Sequence, residues 1–166
     1  MLTSHELLGF MSPNLAGEIL NHAYEADKPV YRATLAAVAE ARRVRPVFLE
    51  RQPRSQRHVT MLSALSRPAM EPAAGNLLRG WLVKKQKTLL EDFLNALGVT
   101  HNEGLVEDLP KTMDDPKLTA AVDAALAKHP HEVVAVYLHA FNTMNETRWA
   151  NLEEMLQKDP RLQLGG

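Results

Sequence analysis

Seven histidines, and a run of arginines from Arg42 to His58 (RRVRPVFLERQPRSQRH), are the residues in this chain whose types and spacing could do chemistry. The histidines invite a metal reading first, and the densest group is HPHEVVAVYLH, His129 to His139. Two imidazoles on one helix share an ion when four residues separate them. The position four residues after His131 is Ala135, and Glu132 and His139 stand two turns apart. A carboxylate-bridged di-iron bundle requires Glu-x-x-His twice. Glu18 and His22 supply one pair only, at the wrong spacing. The acidic loop THNEGLVEDL fails as a calcium loop, because placing Gly104 at the turn puts Val99 and Pro110 at the terminal ligand positions. Neither a metal nor an organic cofactor is expected, and no phosphate loop, nucleophile elbow or dinucleotide fingerprint occurs. His101 with Glu103, and His139, remain as the only acid/base candidates.

The arginine run holds six arginines and one histidine against a single glutamate, in a chain of formal net charge -1. Arg42, Arg43 and Arg45 precede Pro46, where a helix ends and its negative pole favours cations. Arg51, Arg54 and Arg57 flank Pro53, which opens a new helix whose positive pole disfavours them. These three therefore require an anionic partner or ample solvent, and they are the expected anion-binding or interface residues. Seven carboxylates against one lysine, from Glu91 to Asp115, offer one internal partner. A phosphate, a nucleic-acid backbone or an acidic protein would be external ones. Aromatic content of 5% provides no base-stacking platform, so recognition of nucleic acid is not favoured.

The elements that must position these groups are helical throughout, because apolar residues recur at helical spacing with no run of strand alternation. Ser12 and Pro13 open a helix that runs to about Ala26, and Asp27 to Pro29 open the next, which cannot pass Pro46 unbroken. A stripe of Leu78, Trp81, Leu82, Leu89, Phe93 and Leu97 predicts one long helix from Pro72 that stops at Gly98, with Val99 folding back on its last turn. Asp115 is placed to cap a helix that begins at Pro116 and ends before Pro130. The segment from about His131 to Asn142 is apolar on nearly every side and predicts the central buried helix. A last helix lies around Trp149, Leu152 and Leu156. Gly98 to Pro116 is the one long stretch without helical period.

The prediction is an all-α fold: an irregular bundle of seven to eight helices forming one domain over residues 1–166, with the boundary of any two lobes placed in the 98–116 loop. A length of 166 residues buries a core without metals or disulfides, and the absence of cysteine removes disulfides and thiol chemistry. No apolar run reaches the length of a membrane span, and the amino terminus has no basic region preceding an apolar one. A cytoplasmic protein is expected. The reading of function is a non-catalytic helical protein that works through a protein partner or through self-association. Phosphate or nucleic-acid-backbone binding by Arg51, Arg54 and Arg57 is the alternative. An enzyme with an inter-lobe pocket using His101, Glu103 or His139 is the second.

Overall fold

Helix starts and stops written in the sequence account for most of the architecture seen in the computed structural model, which describes residues 2–165, so that the first and last residues of the expected domain lie outside it. The fold is all-α, with ten α-helices and two short 3-10 helices among the described residues. In chain order these are α1 (Ser4–Phe10), α2 (Pro13–Ala26), α3 (Lys28–Ala41), α4 (Pro46–Glu50), α5 (Arg54–Leu65), α6 (Glu71–Lys85), α7 (Lys87–Leu97), α8 (Asp115–Lys128), α9 (His131–Met144) and α10 (Ala150–Lys158). The helix count exceeds the expected seven to eight for identifiable reasons. α1 and α4 are short helices that show little periodicity, and the long helix expected from Pro72 to Leu97 breaks at Gln86, whose φ of -105° and ψ of 25° leave the helical region.

Main-chain contacts divide the chain into two compact units, one of residues 3–81 and one of residue 2 with 82–165. The change of unit falls inside α6, between Trp81 and Leu82, and the 98–116 segment lies wholly within the second unit.

In the first unit α2 and α5 both pack on α3, and α1 packs on α5. Their apolar stripes bury Leu7, Ile19, Leu20, Val38, Met61 and Leu65 completely. The Ser12 hydroxyl accepts the Leu15 N–H at 3.2 Å and fixes the start of α2. Glu71, at the start of α6, accepts the backbone N–H groups of Ser4 and His5 at 2.8 Å and so caps α1 from outside the helix. Burial raises the Glu71 pKa, but these bonds and the His5 side chain outweigh it and hold the carboxyl below its ordinary range.

In the second unit α7 packs against α8, and α9 packs against α8 and α10. Every residue of α9 from Val133 to Asn142 is buried, as its all-round apolar composition predicts. Phe93, Tyr137, Phe141 and Trp149 form a chain of tilted and edge-to-face rings with centroids 5.3–5.9 Å apart. Gly98 ends α7 at φ 73°, and the Val99 N–H returns to the Leu94 carbonyl at 3.0 Å. The N-cap of α8 is Asp114, one residue earlier than expected, and Asp115 is the first helical residue.

Candidate functional site

Arg42 to His58 folds as the end of α3, the five residues of α4 and the first turn of α5, all within the first unit. α3 terminates by a pair of returning bonds, Arg43 N–H to the Glu40 carbonyl at 3.1 Å and Val44 N–H to the Ala39 carbonyl at 2.9 Å. This motif places Arg43 in the left-handed region, at φ 57°, where glycine is the unstrained choice. The chain then turns into α4, whose single fully buried residue is Leu49.

The three arginines expected to form a site have three different environments. Arg57 is wired inward. Its Nε donates to the Leu49 carbonyl at 3.1 Å, and its Nη2 donates to the carbonyls of Glu50 at 3.1 Å and Gln52 at 3.0 Å. These carbonyls belong to the last turn of α4 and the turn after it. A cation there adds donors to carbonyls at the helix end and sits at the helix's negative pole. Although Arg57 belongs to the start of α5, electrostatically it serves the end of α4. Its Nη1 donates to the Tyr31 hydroxyl at 3.0 Å, which in turn lies 3.0 Å from His58 Nε2. The Tyr31 hydroxyl thus links the Arg57 guanidinium to the His58 ring. Burial pushes the His58 pKa down to about 4, and the charges of Arg57 and Arg54 push the same way.

Arg54 lies over the Tyr24 ring, its guanidinium carbon 4.4 Å from the ring centroid and its Nη1 3.4 Å from Glu25 Oε1. The exposed ion pair is worth little, and the ring contact adds about 0.5–1 kcal/mol. Arg51 is exposed, and its side chain makes no hydrogen bond or ion pair among the described residues. Arg42, Arg43 and Arg45 share that condition.

Between Arg45 and Arg51 lies an open surface depression lined by Val44, Val47, Phe48 and Pro53. Phe48 is 58% exposed and Val47 44% exposed. α4 has only one turn, and Leu49 uses it to reach the core, which leaves its neighbours facing solvent. An exposed apolar pair beside two guanidinium groups that form no ion pair among the described residues is the most unusual surface of the first unit. Arg51 was legible in the sequence and Phe48 was not, although a phenylalanine two residues after Pro46 in a five-residue segment was the available signal.

The remaining candidates each have partners within the fold. His101 donates from Nε2 to Asn95 Oδ1 at 2.7 Å and accepts the Gly104 N–H on Nδ1 at 3.1 Å, so both ring nitrogens are engaged in holding the loop. Glu103 pairs with Lys87 at 3.1 Å. His139 is buried in the second unit, accepts the Leu2 N–H at 3.3 Å, and has its pKa pushed down to about 4 by burial despite an opposing hydrogen bond to the Leu162 main chain. Elsewhere His129 pairs with Asp92 at 3.0 Å. Among the described residues no three histidine, aspartate or glutamate side chains gather to hold an ion, and no helix is long and apolar enough to cross a membrane. Comparison with protein-family models, with curated proteins and with solved structures found no match.

Proposed function

We propose that this is a non-catalytic binding protein of the cytoplasm, whose interface is the α4 corner and whose occupant is the acidic loop of a second copy of the chain. The carrying observation is Phe48, more than half exposed in one depression with Arg45 and Arg51, whose side chains form no ion pair among the described residues. Aromatic residues and arginine are the types that dominate interface energies. A symmetric contact between two α4 corners would oppose like charges, so the partner surface must be acidic. The chain carries such a surface in the loop that follows α7, where Leu105 is 44% exposed between Glu103 and the exposed Glu107 and Asp108. Basic apolar corner and acidic apolar loop are complementary, and their contact between copies is heterologous, building rings or open chains rather than a closed pair.

The test is sedimentation of the whole chain over a concentration series. At low salt the mass rises above 18.5 kDa with concentration, and it returns to the monomer value near 0.5 M salt. Arg51→Glu, Phe48→Ser and Leu105→Ser each suppress the rise. A monomer at every concentration, or association that persists in both Phe48→Ser and Leu105→Ser, overturns the reading.

A further inference from the structure

A separate concavity, also within the first unit, is lined in part by Arg57. Its volume is about 150 Å³, and its walls include Tyr24 from α2, Lys28, Tyr31 and Arg32 from α3, Glu50 from α4 and Arg57 from α5. Lys28 and Arg32 are one helical turn apart and share a face. Lys28 Nζ stands 5.6 Å from the Tyr24 ring centroid, and the side chains of Lys28 and Arg32 form no ion pair among the described residues. The Tyr24 and Tyr31 rings meet edge to face at 5.2 Å, giving the site a stiff aromatic floor.

Three cations against one carboxylate leave the concavity a formal surplus of two positive charges, Arg54 being already matched by Glu25. The arrangement is locally unfavourable on two further counts. Like charges one turn apart repel, and both stand in the first turns of α3, where the helix pole is positive and the one acid at that end, Asp27 at the N-cap, is buried. Arg57 is held by main-chain carbonyls whether or not a ligand is there, so one of the three charges is fixed in advance. An anion in the concavity would relieve both repulsions and meet a preformed point of attachment.

Size decides which anion. Pockets for drug-sized molecules begin at about 300 Å³, so this one has roughly half the room they need and holds about five waters' worth of ligand. A nucleotide does not fit, whereas a tetrahedral oxyanion does, and several cations can approach it from different directions. We infer that the concavity between Lys28, Arg32 and Arg57 is a binding site for a single phosphate group, either the free ion or the phosphate of a small monoester. It is distinct from the α4 corner, and its occupancy requires no second copy of the chain.

Isothermal titration of the whole chain with inorganic phosphate, and in parallel with glycerol 3-phosphate, tests this at constant ionic strength. Saturable one-to-one binding is expected for at least one of the two, and the tighter one names the source of the group. Lys28→Gln and Arg32→Gln, both on an exposed helix face, each weaken binding at least fivefold, while Arg51→Gln leaves it unchanged. Absence of saturable binding of both anions overturns the inference. So does an Arg51→Gln loss as large as that of Lys28→Gln, which would mean a diffuse field rather than a site.

Discussion

The basic corner at 42–54 and the acidic loop at 98–114 solve the same problem by opposite means. Each joins two helices, carries an excess of one sign of charge, holds a non-glycine residue at positive φ and exposes large apolar side chains, Val47 and Phe48 or Leu105. The corner is tied down by a charged side chain acting on carbonyls, Arg57 across the end of α4. The loop is tied down by a neutral one acting on an amide, His101 on Gly104, with Trp149 Nε1 holding the Pro110 carbonyl at 2.8 Å. In both regions a few side chains stabilise the irregular backbone and leave the rest of the charge exposed. A charge cluster is therefore two populations, one bonded into the irregular backbone and one left unbonded at the surface.

The positive-φ residues offer the sharpest way to break this comparison. Gly104 has φ 88°, and a Cβ there would lie 2.8 Å from Leu90 Cβ. Gly104→Ala should cost about 2–5 kcal/mol, from left-handed strain plus overpacking. Chemical denaturation measures it, and a loss below about 1 kcal/mol would show that the loop yields rather than holds.

Acid comes next. His58 and His139 both titrate near 4 when folded, against an ordinary value of 6.5, so the native state holds the neutral form. Their stabilisation is complete above pH 6.5 and is lost as the pH falls toward 4, by at most about 3 kcal/mol each. His58→Gln should flatten part of that slope while lowering stability at neutral pH, and an unchanged slope would mean that His58 is solvated in the fold.

The smallest effect has the opposite sign. Arg43→Gly removes a side chain from φ 57° and should be neutral or stabilising by up to about 1 kcal/mol, while weakening self-association. A destabilised Arg43→Gly would reveal a structural contact for that guanidinium.

Much of the fold was legible because helix boundaries are local events. Ser12 with Pro13, Gly98 with Val99, and the uniformly apolar 133–142 stretch each act through their own neighbours, and each stands where its residue types require. α1 escaped because seven residues show no full apolar period, although the Thr3 hydroxyl bound to Glu6 at 2.6 Å was present as a Thr-x-x-Glu pattern. The break at Gln86 carried no proline or glycine, and the apolar stripe continues across it in phase, so periodicity had nothing to report. The wiring of the site was hidden for a different reason. Arg57 finds its partners among main-chain carbonyls, which every residue has and no residue type announces. Tyr24, Tyr31 and His58 meet only after α2, α3 and α5 have packed.

The central claim is that one arginine-rich stretch divides into structural and free members, and Arg57→Gln beside Arg51→Gln tests it most directly. Hydrogen bonds to a charged group contribute about 1.5–3 kcal/mol each, less where solvent reaches them, so Arg57→Gln should lose roughly 2–4 kcal/mol of unfolding free energy. Arg51→Gln should change it by less than about 0.5 kcal/mol, as surface substitutions do. Unfolding by denaturant at low protein concentration, with equal slopes for both variants, gives the two numbers side by side. A large loss for Arg57→Gln alone is the predicted result, and equal losses for the two would contradict the account.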